Sequence, residues 1–390
     1  MPVAYAYSEE LIEYADKLPS NKGRASRVNA LIESFGLMDK FDGIIRVKPC
    51  TQADLEKYHD KNFIKFLLTG DDGLDAESET EGEESDESYE GKDEPVSKEA
   101  LYGLHYDCPP FDGLEKYVKL VAGATLQCAD YLVSLLDTDI AQNTSKVAIN
   151  WTGGRHHAKR AACSGFCYVN DINLGIQRLR TKFDKVLYVD LDLHHGDGVE
   201  TAFAYSDKVK SVSVHRYERG FFPGTGGMNT TSRSVVNIPT KYGLSDKSFI
   251  QIFDTIIVAE KEDFQPDAVV VTTGCDGLAR DELREWNLSF SSFEYIIDQI
   301  VNSWKLPTLL LGGGGYHTLD TARCLAICTA AALNVPDRKQ WVEIPMHDYF
   351  NEYVKDNYSL RVESHVRHNT PDENSEEYLK KLADYFEHRR

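Results

Sequence analysis

The sequence has no excess of positive charge, no apolar run of membrane-spanning length and no paired cysteine modules, and each absence removes a class of function. Lys and Arg number 43 against 63 Asp and Glu, a formal net charge of -20, which excludes a broadly basic nucleic-acid-binding surface. No apolar stretch approaches the roughly 20 residues that a bilayer span needs. The opening residues, MPVAYAYSEELIEYADK, mix carboxylates into their apolar positions and have no basic segment, so no secretory signal is expected there. The eight cysteines, at 50, 108, 128, 163, 167, 275, 324 and 328, are dispersed and make no CxxC pair. A reduced, intracellular, soluble protein is the expectation.

What is present is enough for a large core: 390 residues, 42% of them hydrophobic. The acidic excess is concentrated, since residues 71–94 contain thirteen Asp or Glu and a single base, Lys92. With few apolar side chains the stretch cannot offset its ordering entropy by burial, so residues 71–98 are expected to form a disordered acidic insertion. Ser78, Ser85 and Ser88 within it are candidate phosphorylation positions.

Apolar, β-branched runs recur at 44–48, 146–151, 185–192, 209–215, 267–274 and 307–315, each predicting a strand buried on both faces. Segments 115–136, 246–262 and 290–304, between or beside them, repeat apolar residues every three or four positions and predict helices. This alternation predicts an α/β protein with a mainly parallel sheet covered by helices. The last segment, NSEEYLKKLADYFEHRR, predicts a terminal helix with Asn374 as N-cap, Glu377 completing a capping box, and Leu379, Leu382 and Phe386 as its packing stripe.

In such sheets ligands sit beyond the carboxyl ends of the strands. Here those ends read WTGGRHHA, VDLDLHHGDG, TTGCD and GGGGYH. Side chains alternate along an extended segment, which sends Asp190, Asp192 and His194 to one face. With Asp276 from a neighbouring strand end, Asp192 and His194 would give three protein ligands, the set a catalytic zinc uses when its fourth position stays open. Singly, each acid fits a capping role equally well. His156 and His157 need partners to fix their tautomers, and Asp190 and Asp197 are the spare carboxylates. Two His–Asp pairs beside a metal suit a general base and an electrostatic partner. The run Gly312–Gly315 is not followed by the Lys-Ser/Thr of a phosphate loop, so it is read as close backbone approach to a ligand, presenting the Tyr316 hydroxyl to an oxyanion.

The segments GGRHHAKRAACSGFCYVND, LYVDLDLHHGDGVE, FFPGTG, GCDGLARD and LGGGGYH, in this order from Gly23-Arg24 to about residue 333, resemble the zinc-dependent class I histone deacetylases. The resemblance implies the three-layer α/β/α arginase/deacetylase fold with a mainly parallel eight-stranded sheet, as one catalytic domain over 1–390 with a C-terminal helical extension, 335–390, packed on it. It implies zinc at Asp192, His194 and Asp276, Fe2+ being an alternative ion, and a structural K+ at Asp190, Asp192, His194 and Ser213. His157, oriented by Asp197, matches the general base; His156, oriented by Asp190, matches the charge-stabilising histidine; Tyr316 matches the residue that polarises the acetyl carbonyl. Gly165, Phe166, Phe222 and Gly314 match the acyl-lysine tunnel, Asp107 the rim carboxylate, and Arg24 the arginine near the acetate exit.

The implied activity is hydrolysis of N-ε-acetyl-lysine in histones or a cohesin SMC subunit, in a nuclear protein that also has the cytoplasm open to it, acting in chromatin regulation and transcription repression. An acetylpolyamine amidohydrolase on the same fold and a non-catalytic acetyl-lysine-binding scaffold are the alternatives. A membrane partner and direct sequence-specific nucleic-acid binding are not expected.

Departures from the family pattern carry their own expectations. Asn21, Glu282 and Leu319 stand where corepressor-bound members have basic residues for an inositol phosphate, so dependence on such a corepressor is not expected. With YGLHYDCP, this sets the chain nearest the stand-alone class I branch and a small fungal cohesin deacetylase. Arg155 replaces an aromatic and Arg280-Asp281 replaces Gly-Asp, and both are expected to reshape the rim and substrate choice. Thr272 and Ser234 leave a second potassium site open. Cys108 and Cys167 are expected near the tunnel as buried thiols, a regulatory disulfide being the alternative.

Overall fold

The computed structural model describes residues 2–73, 97–134, 146–362 and 366–389. Most of the acidic stretch expected at 71–98 lies outside the described residues. Its two ends meet at Asp72, a buried carboxylate that accepts from Lys98 and, at 3.1 Å, from the Tyr102 hydroxyl.

Eight strands form one sheet: β1 (Val3–Tyr7), β2 (Gly43–Arg46), β3 (Val147–Asn150), β4 (Val186–Asp190), β5 (Val209–Arg216), β6 (Val235–Thr240), β7 (Ala268–Thr272) and β8 (Thr308–Leu311). Their order is β2-β1-β3-β8-β7-β4-β5-β6, and every neighbouring pair is parallel. The expected mainly parallel sheet is therefore parallel throughout. β3 to β5, β7 and β8 are buried along their whole length, as a parallel sheet covered on both faces requires. Alternation divides them: Leu187 and Val189 pack into the core with the helices Arg24–Ser34, Phe290–Asp298 and Thr318–Ala332, while Val186 and Tyr188 pack with Leu114–Ser134 and Asp171–Leu179.

Three local expectations are corrected. β2 is not buried on both faces; it pairs only with β1, and Ile44 is 41% exposed. Two strands were not expected, β1 and β6. The terminal helix Glu376–Glu387 starts one residue later, with Ser375 accepting from Tyr378 N, because the Asn374 amide is taken up by Lys241, accepting from its N–H at 2.7 Å and donating to its carbonyl at 3.2 Å. Glu377 therefore completes no box with Asn374. Leu379, Leu382 and Phe386 are buried against the sheet-covering helices.

The strand order creates the site. The chain leaves β3, places β4 three positions along the sheet, and only later fills the gap with β7 and β8. Ligands in open α/β sheets bind at such reversals, beyond the carboxyl ends. The adjacent strands β3, β8, β7 and β4 run directly into His156-His157, Tyr316, Asp276 and Asp192-His194. Among the described residues no helix is long and apolar enough to cross a membrane.

Candidate active site

Asp192, His194 and Asp276 converge, with one ligand atom from each within 4.8 Å of the others, and all three are buried. His194 Nδ1 lies 2.9 Å from Asp276 Oδ2 and 3.4 Å from Asp192 Oδ1. The backbone aims the carboxylates: Gly314 N donates to Asp192 Oδ2 at 2.7 Å and Leu193 N to Asp276 Oδ1 at 3.0 Å. Gly314 has to be glycine for this approach, since a Cβ there would stand 2.5 Å from Asp276 Oδ2. Burial, and then the charge of Asp192, push the Asp276 carboxyl up to about 6. Two acids crowded out of water around one imidazole are a donor set that a divalent cation would satisfy, and O, N, O donors suit zinc or Fe2+.

Beside them are two histidines with matched geometry and opposite charge preference. His156 Nδ1 is 2.8 Å from Asp190 Oδ2, and His157 Nδ1 is 2.8 Å from Asp197 Oδ1. Burial opposes a charge on His156, but Asp190 and then Asp192 outweigh it and hold the ring up at about 9. Burial and then the charge of His156 push His157 down to about 3, against the pull of Asp197. Asp197 is shared with Lys159, so its negative charge is already matched and acts less on His157.

Tyr316 and the aromatic residues enclose the approach. A cavity of about 480 Å³ is lined by Ser20, Asp107, His157, Gly165, Phe166, His194, Phe222 and Tyr316, with the exposed Glu282 and Leu283 at its mouth. Phe222 stands edge-on to His157 at 4.9 Å, Phe166 edge-on to Tyr316 at 5.6 Å, and Phe221 stacks on His194 at 5.5 Å. Gly165 has φ +55, and a Cβ there would sit 2.3 Å from the His157 ring. Asp107 is half-buried and accepts from Gly165 N at 2.7 Å, which ties the rim carboxylate to the tunnel wall. Behind the tunnel, Arg24 donates to the carbonyls of Gly313, Gly314 and Gly315 at 3.0–3.2 Å. Ser213 is the register partner of Asp190, and its hydroxyl lies 2.9 Å from His215 Nδ1.

Several supporting residues were not foreseen. The Tyr188 hydroxyl lies 2.7 Å from Asp190 Oδ2 and 3.0 Å from Thr272 Oγ1, giving the unusual Thr272 a role in holding the His156 partner. Asp281 accepts from Tyr316 N at 2.7 Å and His317 N at 3.2 Å. Tyr188 is the one a sequence signal could have found, because it precedes Asp190 by two residues on the same strand face. Ser234 is turned away, donating to Ala204 O at 2.6 Å.

The rim expectations for two substitutions are corrected. Arg155 is 5% exposed and lies behind the reacting groups, lining the inner cavity with Tyr316 and Gly313. Arg280 points away from the mouth, where Nε and Nη2 grip Asp320 at 2.7 and 2.6 Å and Nη1 and Nη2 grip Asp356 at 2.8 and 2.9 Å. Of the three positions compared with an inositol-phosphate pocket, Asn21 is buried behind the site, Glu282 lines the mouth, and Leu319 packs against the core.

The sequence profile of the histone deacetylase domain matches residues 18–332. Histone deacetylase 8 of Danio rerio is 39% identical over 386 residues, covering 97% of this chain and 93% of the relative. Histone deacetylase 8 of Xenopus tropicalis is 38% identical over 388 residues, 98% and 95% of the two chains. Histone deacetylase 1 of Homo sapiens is 34% identical over 390 residues, 97% of this chain and 73% of the relative.

Proposed function

The chain belongs to the histone deacetylase family, and on that premise we propose how its own residues carry the lysine deacetylation the family performs. The enzyme is a metal-dependent hydrolase of acetyl-lysine. Asp192, His194 and Asp276 would hold its metal, zinc or, with the same donors, Fe2+, and Asp190, Asp192, His194 and Ser213 would hold a structural K+. The observation that carries the reading is that His194 of the three-ligand cluster, His157 of the His157–Asp197 pair and Tyr316 line a single aromatic-walled cavity.

An acetyl-lysine stem enters between Phe166 and Phe222, whose faces suit a methylene chain, while Asp107 meets the substrate backbone at the rim. A divalent ion at the three ligands supplies Lewis-acid polarisation of the carbonyl and a lowered water pKa. His157, neutral because burial and the charge of His156 disfavour its protonation, accepts the proton of the attacking water at Nε2, since Nδ1 is engaged by Asp197. The Tyr316 hydroxyl donates to the acetyl oxygen as charge grows there. His156 keeps its proton and stabilises that charge. A histidine proton then passes to the lysine amine, and acetate leaves toward Arg24.

The substrates are acetylated proteins in the nucleus, histone tails or a cohesin SMC subunit, met without an inositol-phosphate-bound corepressor. The charge of residues 71–94 favours basic sequence around the acetyl-lysine. The test compares kcat/KM for acetylated histone-tail and SMC peptides with acetylspermidine at matched concentration. Peptide hydrolysis well above that of acetylspermidine supports the reading; the reverse order overturns it.

A further inference from the structure

Two guanidinium groups are buried side by side behind the reacting centre, and only one has a full set of partners. Arg24 is committed to three glycine carbonyls and, with the Asn21 amide turned to face it, also donates to the Asn21 side-chain oxygen at 3.0–3.1 Å. Arg155 donates from Nη2 to Thr152 O at 2.8 Å, and its Nε is without a partner among the described residues. Asp171, whose charge acts on Arg155, has its oxygens taken by Thr125 Oγ1 at 2.6 Å, Arg155 N at 2.8 Å and Gly154 N at 3.1 Å. The Tyr117 hydroxyl and Ser20 Oγ are also buried and unpartnered. Arg24 and Arg155 line one small cavity, and burial, then the charge of Arg155, lower Arg24 to about 10. A buried cation with unmet donors is a strong call for an anion.

The space is continuous with the chemistry. Arg155 lines a cavity of about 10 Å³ together with His157, Gly314 and Tyr316, and a second of about 10 Å³ together with Asn21 and Arg24. Each has room for about one water molecule. Both spaces are lined by Asn21 and Arg155, so together they admit about two water-sized groups; an acyl group whose carbonyl met Tyr316 would direct its far end there, and only the shortest acidic extension of an acetyl group is of that size.

We propose that Arg155, assisted by Arg24, makes this enzyme a hydrolase of short acyl-lysines that end in a carboxylate, malonyl-lysine being the smallest. This rests on the deacetylase reading and names a further substrate class of the same site. In the step, the water oxygen bonds to the acyl carbon and the C–N bond breaks. Its electron pair and a proton go to the lysine amine, leaving malonate and free lysine. The Arg155 donors hold the terminal carboxylate throughout.

The test measures kcat/KM for acetyl-, propionyl- and malonyl-lysine in one peptide, with wild type, Arg155→Met and Arg155→Lys. Propionyl has nearly the reach of malonyl without its charge, so the malonyl-to-propionyl ratio within each protein cancels any general loss of activity or folding. Wild type is expected to favour malonyl by about tenfold or more, the yield of one charge-assisted hydrogen bond. Arg155→Met should reverse the preference and Arg155→Lys keep part of it. Wild type that hydrolyses acetyl- but not malonyl-lysine overturns this proposal and leaves the deacetylase reading standing, also when free acetate inhibits it through Arg155. Wild type inactive on all three peptides sinks the deacetylase reading first.

Discussion

The imidazole rings of His156 and His157 lie 3.9 Å apart between centroids, and each gives its Nδ1 to a different carboxylate. Because the rings are so close, a proton on one disfavours a proton on the other. The second carboxylates decide which keeps it: His156 also faces Asp192 at 3.7 Å, whereas the partner of His157 is shared with Lys159. His157→Ala is expected to lower kcat by about 10²–10⁴ with the fold and bound metal unchanged. Circular dichroism and metal analysis beside the kinetics check this; a kcat within a factor of about three of wild type, far below a general base's usual contribution, would remove His157 from the role.

Lys159 has a separate consequence. Lys159→Met takes away the cation that competes for Asp197, so the carboxylate acts more fully on His157 and the ring binds a proton more readily. The acid limb of the kcat/KM profile is expected to move to higher pH. An unmoved limb would mean that Lys159 does not tune the pair.

Metal removal tests the three-ligand cluster. An ion that binds only the folded state stabilises it, by about 2.7 kcal/mol at a hundredfold excess over Kd. Chelated protein should lose turnover and show a lower Tm, and Zn2+ should restore both. Asp276→Asn should show neither the loss nor the recovery. Equal Tm with and without Zn2+ would place the metal elsewhere.

Arg280 links the C-terminal segment to the Tyr316 backbone. It holds Asp356 and Asp320, both of which also pair with Arg323 at 2.8–2.9 Å, while its neighbour Asp281 holds the Tyr316 backbone. Hydrogen bonds from Arg280, against burial and with help from the charge of Arg323, keep the Asp356 carboxyl at about 2. An unfolded Asp titrates near 3.9, so this stabilisation is complete above about pH 5, about half gone by pH 3, and lost as pH falls through the folded value. The Tm gap between wild type and Asp356→Asn should shrink in that window wherever the fold persists. A gap independent of pH from 6 to 3 would contradict the ion-pair account; loss of kcat in Arg280→Ala with KM unchanged would support the link to Tyr316.

Cys108 and Cys167 meet without a bond: Cys108 Sγ contacts Cys167 O at 4.0 Å, and both thiols are buried. Burial pushes the Cys167 thiol up to about 12 and raises Cys108 as well. Neither forms thiolate readily near neutral pH. Mass mapping after mild oxidation of native protein should find no link between them, and finding one would establish the regulatory alternative.

Six of the eight strands are legible in the sequence: β3, β4, β5, β7 and β8 because interior parallel strands are continuous apolar, β-branched runs, and β2, at the edge, because its own run IIRVK is of the same kind. β1 hides because two of the five residues of VAYAY are alanine and it adjoins an acidic helix, and β6 because Pro239, tolerated at a sheet edge, reads as a strand breaker. The candidate site residues are legible because parallel topology gathers them at strand ends. Their supports are not, since the contact of Asp281 with Tyr316 spans 35 residues and that of Arg280 with Asp356 spans 76. Arg155 was visible as a departure, but only packing shows that it faces inward rather than toward the rim.

The central claim is that one cavity unites a metal site, a neutral base and a tyrosine donor to hydrolyse acetyl-lysine. Acetate release and peptide affinity, measured on the same zinc-loaded preparations of wild type and Tyr316→Phe, test it most directly. Removing one donor to a developing oxyanion costs about 10²–10³ in kcat, so the account predicts a loss of that size with peptide Kd nearly unchanged. Equal acetate release from both proteins would contradict it.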